Sequence, residues 1–199
     1  MKIGLDKIKE ITLGAAYVEQ KDGEIVFHRF TKEQENLYEK RGERFFLRAK
    51  ATAGIKLSFL TDSKNLFLKF SVINNFSRQY FSIDVFKDGE VLGYIDNFEG
   101  KELVGEYVNE QLPGGVFEKS FSLGEGEKKI EIYLPWSAKT KLVSFEVDDG
   151  AFVKGIKHKK TLLAYGDSIT QGYDALRPSN RYVSRICRHF GFEEYNKAI

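Results

Sequence analysis

The sequence predicts a mostly β chain: an antiparallel, jelly-roll-like β-sandwich followed by an incomplete α/β unit of the βαβ type. Three observations carry this. From Arg44 to Val147, short runs of period-two apolar alternation recur with turn chemistry between them, the pattern of a two-layer antiparallel β domain. Asp22-Gly23 and Asp88-Gly89 are two-residue hairpin signals. Past residue 160 the pattern becomes one short apolar run, a glycine-bounded turn and a segment of helical periodicity.

The 42% apolar and 14% aromatic content over 199 residues suffices for a sizeable core, and the interspersed charges with only three prolines argue against long disorder. A net charge of +2 demands neither nucleic acid nor an anionic membrane as partner. No stretch approaches the ~20 apolar residues of a membrane span. The charged start, Met1 to Lys7, lacks the apolar centre of a secretory signal, so the expected location is cytoplasmic. Cys187 is the one cysteine, which excludes an intrachain disulfide; on the apolar face of a predicted helix it reads as a buried thiol. No His/Asp/Glu cluster has ligand spacing, so neither metal nor cofactor is expected.

In chain order, residues 1 to about 30 read as strands, with Ile11 to Val18 broken at Gly14-Ala15-Ala16. Thr31-Lys32-Glu33-Gln34 has the form of a capping box and predicts a helical turn to about Tyr38. Arg44 to Lys50 alternates and reads as a strand. So do Ile55–Phe59, Leu66–Phe70, Phe81–Val85, Val91–Ile95, Val116–Leu123, Lys129–Leu134 and Lys141–Val147. Residues 1–153 are thus assigned to the β-sandwich, 154–160 to a basic linker and 161–199 to the βαβ unit. In the last, Thr161–Tyr165 is the length of a buried strand. Ser179 is placed as N-cap of a helix whose face is Tyr182, Val183, Ile186, Cys187 and Phe190, with Gly191 as its stop. Glu193–Ile199 supplies a second strand.

Between that first strand and helix lies Gly166-Asp167-Ser168-Ile169-Thr170-Gln171-Gly172. A serine on such a turn is held outside the carboxyl end of a strand, where open α/β sheets bind ligands. The seven residues resemble the first sequence block of the SGNH (GDSL-type) hydrolases, many of which carry a β-domain in front of a flavodoxin-like catalytic domain. The resemblance covers residues 160 to 199 well and the sandwich weakly. It implies a serine esterase without cofactor, with Ser168 as nucleophile, its backbone N–H as one oxyanion donor, and Gly166, Asp167 and Gly172 shaping the turn. It also implies a glycine and an asparagine donor, and an Asp-x-x-His pair, in later blocks that the 199 residues do not contain. The chain is therefore expected to be the N-terminal portion of the enzyme, truncated after its first βα unit and inactive alone.

No local histidine is expected to replace the missing base. His189 lies ~15 Å along the helix from Ser168, His158 sits at the far end of a ~16 Å strand, and His28 is in the sandwich. Asp174 and Arg177 either line the pocket mouth or are solvated loop charges. Trp136, Tyr94, Phe98 and Tyr107 either offer stacking faces for a sugar or belong to the core. The first functional reading is a serine esterase acting on acetyl or other short acyl esters, carbohydrate-linked ones among them. The alternative is a non-catalytic β-sandwich that binds carbohydrate or assembles with a partner. Because the strand bearing the serine lacks a neighbour on one side, a homodimer through that edge, or a disordered C-terminus, is expected.

Overall fold

The computed structural model describes residues 1–74, 78–98 and 112–199. In chain order these form α1 (Leu5–Ile11), β1 (Thr12–Leu13), β2 (Tyr17–Lys21), β3 (Glu24–His28), α2 (Lys32–Arg41), α3 (Glu43–Lys50), β4 (Lys56–Thr61) and β5 (Asn65–Asn74). There follow β6 (Ser82–Lys87), β7 (Glu90–Asp96), β8 (Gly115–Ser122), β9 (Lys128–Tyr133), β10 (Ala138–Val147) and β11 (Val153–Gly155). The chain ends in β12 (Thr161–Ala164), α4 (Ser168–Gln171), a 3-10 turn at Pro178–Asn180, α5 (Tyr182–Phe190) and β13 (Glu193–Asn196).

Two antiparallel sheets result. One has the order β1-β4-β9-β6-β7, with β11 also paired to β4; the other has the order β2-β3-β10-β5-β8. The alternating faces read from the sequence meet in one core: Leu57 and Phe59 of β4, Ile130 and Ile132 of β9, and Ile83 and Val85 of β6 pack with Leu66, Leu68 and Phe70 of β5 and Phe145 of β10. The Phe59 and Phe145 rings meet edge to face at 5.4 Å. Both Asp-Gly pairs are two-residue hairpin turns with positive φ at each position, 52° and 82° for Asp22 and Gly23, 51° and 90° for Asp88 and Gly89.

Three expectations about elements need correction. Residues 5–11 are helical, because Leu5, Ile8 and Ile11 recur at helical spacing and pack their stripe on the core. Residues 43–50 are also helical: seven alternating residues mimic a strand, but Lys50 lies over the Phe46 ring at 4.9 Å, an i,i+4 pair within the helix. Ser179 is not the N-cap of α5; it lies in the 3-10 turn, and Arg181 holds the cap position. The Thr31 capping box is formed on both sides, and its helix continues to Arg41. Residues 154 and 155 of the basic segment belong to β11 and so extend a sheet.

β12 and β13 pair in parallel, Thr161 opposite Glu193 through Ala164 opposite Asn196, and α5 packs Val183 and Cys187 against Ala164. Gly191 ends α5 in the left-handed conformation (φ 68°), and Phe192 N–H donates to Cys187 C=O. The rest of the predicted helix face is open, with Tyr182, Ile186 and Phe190 exposed.

Two glycines of the β region let this unit come close. A Cβ on Gly14 would lie 2.3 Å from Gly54 O and 2.6 Å from Glu194 O, and one on Gly54 would lie 2.6 Å from Asn196 Cβ. The small-residue break at Gly14 is thus a contact surface for β13. Arg29, 1% exposed, adds a second tie. Its guanidinium donates to Ala51 O and Arg48 O on the β-domain side, and to Asn196 O (3.3 Å) and Ala198 O (2.8 Å) beyond β12. Lys197 Nζ donates back to Arg29 O.

Candidate active site

The stretch after β12 folds as its residue types dictate. Asp167 is the N-cap of α4, its carboxylate accepting from Ile169 N–H at 3.0 Å. Gly166 is required by a close approach, since a Cβ there would sit 2.5 Å from Thr170 Oγ1. Gly172 has φ 123° and packs so tightly that a Cβ would fall 2.1 Å from Arg181 Cδ and 3.2 Å from Trp136 Cβ. Ser168 opens the helical turn, half-buried, between exposed Asp167 and Ile169. Tyr165, just before it, is 81% exposed, so the bend lies at the surface rather than beneath the sheets. The first N–H groups of a helix have no intrahelical acceptor, and that of Ser168 makes no hydrogen bond among the described residues. The hydroxyl is likewise without a hydrogen-bond partner there.

A buried network holds the bend in place. Arg181, 3% exposed, forms a bidentate pair with Glu194 on β13 at 2.9 and 3.1 Å. Its remaining donors go to Ser184 Oγ, Pro178 O and Gln171 O, the last within α4. Asn196 Nδ2 donates to Thr170 O at 2.8 Å and to Glu194. Bend, α5 and β13 are therefore joined by one set of charge-assisted bonds. Sequence reading did not single out Arg181, Glu194 or Arg29, because buried charges carry the same letters as solvated ones.

Of the residues proposed for the pocket, Asp174 (φ 64°) pairs with Arg78 at 2.5 and 3.1 Å. Arg177 donates to Asp96 Oδ2 at 2.6 Å and Ser82 Oγ at 2.8 Å, with its guanidinium 3.6 Å from the Tyr94 ring centroid. Both are paired rather than free, although Asp174 remains exposed: they fasten the loop after α4 to the β region. Asp84, fully buried beside them, accepts from Ser82 Oγ and Ser179 N–H; burial raises its carboxyl above the ordinary range despite these bonds.

Burial corrects two of the four suggested sugar platforms, Trp136 and Phe98. Trp136 is 2% exposed, donates its indole N–H to Ala175 O at 2.6 Å and packs with Tyr80 and Tyr173, so it is core. Phe98 is buried in the same cluster. Tyr94 has one face covered by Arg177. Tyr107 lies outside the described residues. The histidines are engaged elsewhere: His28 Nδ1 with Glu35 at 2.8 Å, His158 Nδ1 with Gly191 O at 2.9 Å beyond the far end of β12, and His189 exposed beside Phe190. Among the described residues no group of three or more His, Cys, Asp or Glu side chains is placed to hold a metal. No helix there is long and apolar enough to cross a membrane.

No protein-family profile matches the sequence, and no curated protein matches it. Solved structures do. A salicylyl-acyltransferase from a tetracycline biosynthetic pathway superposes with a TM-score of 0.74 at 24% identity, over 94% of this chain and 52% of the other. A GDSL-like lipase from Bacteroides ovatus gives 0.67 at 23%, over 96% of this chain and 55% of the other. The chain shares the fold of the matched parts of these two structures. A family two carbohydrate esterase from Cellvibrio japonicus also superposes, with a TM-score of 0.55 at 12% identity over 96% of this chain and 50% of the other. The chain therefore spans about half the length of these structures.

Proposed function

We propose that the chain is the N-terminal portion of a serine ester hydrolase, with Ser168 as nucleophile. The observation that carries this reading is a surface serine on a glycine-shaped bend at the carboxyl end of β12, its N–H unused and the bend fixed by a buried ion-pair network. In the reaction, Ser168 Oγ adds to the acyl carbon while its proton passes to an imidazole. The Ser168 N–H donates to the developing oxyanion. The alcohol leaves with that proton, and water then releases the acid from the acyl-enzyme. The imidazole and its carboxylate are assigned to an Asp-x-x-His segment encoded after Ile199. Short acyl esters are the substrate class, and the carbohydrate esterase named among the similar structures supports esters on sugars.

The assay is 4-nitrophenyl acetate hydrolysis by the 199-residue chain, by a longer form carrying the downstream segment, and by its Ser168→Ala variant. Turnover in the long form that Ser168→Ala abolishes is the expected result, with background rates from the short chain. Equal rates with and without Ser168 refute the assignment.

A second reading has its own support. None of the three histidines is hydrogen-bonded to Ser168, so the chain by itself would act as a binding or assembly module. Among the described residues β12 is paired only to β13, and Leu163 on it is 66% exposed. Self-association through that edge is expected, read as twice the 22.8 kDa chain mass in sedimentation; a monomer at all concentrations counts against it.

A further inference from the structure

The outer face of the second sheet carries a bowl of about 440 Å³, walled by β2, β3, β10, α2 and Lys50 of α3. Its lining holds five lysines against three carboxylates. Two lysines are committed, Lys50 to Glu35 at 2.6 Å and Lys141 to Glu24 at 2.5 Å. Lys21, Lys32 and Lys139 form no ion pair among the described residues. Burial, with the like charges of Lys50, Lys141 and Lys21, lowers the pKa of Lys139, so the ammonium groups here crowd one another.

His28 forms the floor. It is 6% exposed and stacked on Tyr17 with centroids 4.0 Å apart. Burial pushes the Glu35 carboxyl up, but the hydrogen bonds from His28 and Lys50 outweigh it and hold it below the ordinary range. An ionised carboxylate only accepts, so Nδ1 is the nitrogen that carries the proton toward Glu35, 2.8 Å away. Nε2 lies 3.3 Å from Glu19 Oε1, a contact that is ionic when the ring is protonated. It is buried without a hydrogen-bond partner. A buried ring nitrogen left unmatched costs free energy that a ligand hydroxyl, which both donates and accepts, recovers.

We propose that this bowl binds a hydroxylated small-molecule anion, its phosphate or carboxylate group among Lys21, Lys32 and Lys139 and a hydroxyl hydrogen-bonded to His28 Nε2. The mixed lining fits such a ligand: ammonium groups for the anionic end, and Glu19 and Asp22 as acceptors for further hydroxyls. The site is separate from the bend at Ser168 and stands without the esterase reading.

Calorimetric titration of the 199-residue chain with glycerol phosphate, glycerate, inorganic phosphate and glycerol, at constant ionic strength, tests this. Saturable binding of glycerol phosphate or glycerate, about tenfold or more tighter than inorganic phosphate or glycerol, is expected, and the stronger of the two identifies the anionic group. Lys139→Gln and the rim variant Lys21→Gln should each weaken it about tenfold. Lys21 is exposed, so that variant folds as the parent does. Failure of both anions to saturate, glycerol or inorganic phosphate binding as tightly, or unchanged affinity in both variants overturns the proposal.

Discussion

Gly172→Ala isolates how the bend is held. Gly172 and Gly191 both have positive φ, 123° and 68°. A methyl on Gly191 meets nothing within 4 Å, whereas one on Gly172 meets Arg181 Cδ at 2.1 Å. Gly191→Ala should therefore cost only the backbone term, about 1 kcal/mol. Gly172→Ala carries that and must also displace Arg181, which is bound to Glu194, Ser184, Pro178 and Gln171. Breaking a buried ion pair costs about 3–5 kcal/mol, so a total of about 4–6 kcal/mol is expected. With a urea m-value of about 2 kcal/mol/M, the midpoint falls by about 2–3 M for Gly172→Ala and by about 0.5 M for Gly191→Ala. Trp136 is the one tryptophan in the chain and packs against Gly172, so its fluorescence reports the transition at the bend. Equal midpoints for the two variants would show that the Arg181 network does not constrain the bend.

Arg29→Met should destabilise the chain by about 3 kcal/mol or more, since buried carbonyls at Ala51 and Ala198 lose their donor; faster amide exchange in β13 without loss of the β-domain signals would locate the damage, and unchanged exchange would refute it. Asp148 accepts from Asn65 Nδ2, Ser63 Oγ and the Lys64 and Asn65 N–H groups, with the Asn65 side chain the largest influence, and its carboxyl is lowered from 3.8 to about 2. Its stabilising contribution is therefore present in full above pH 3.8 and lost as pH falls through about 2, so Asp148→Asn should be less stable than the parent at pH 6 and the difference should shrink as pH approaches 2. Burial, then the charge of Glu194, pushes the Cys187 thiol up to about 11; native protein at pH 8 should resist iodoacetamide and react once urea unfolds it, and rapid native labelling would contradict the burial.

The β-domain was legible because its strands alternate, its two Asp-Gly turns have a single geometry, and a face buried on one side leaves a period of two in the letters. The same period misled at residues 43–50, where a short amphipathic helix carries letters that also alternate. The Gly166–Gly172 bend was legible for a different reason: glycine, aspartate and serine at fixed spacing are chosen by local backbone geometry.

Sequence alone therefore determined what is local in this protein: the antiparallel strands, the hairpins, the capped helix at Thr31 and the serine bend with its SGNH resemblance. Tertiary structure alone decided which charges are buried and what they hold. Arg29, Arg181, Glu194 and Arg177 read as surface residues until chain segments as far as 169 residues apart bring their partners together. A charge's partner depends on the path of the whole chain, and nothing in its neighbours encodes that path.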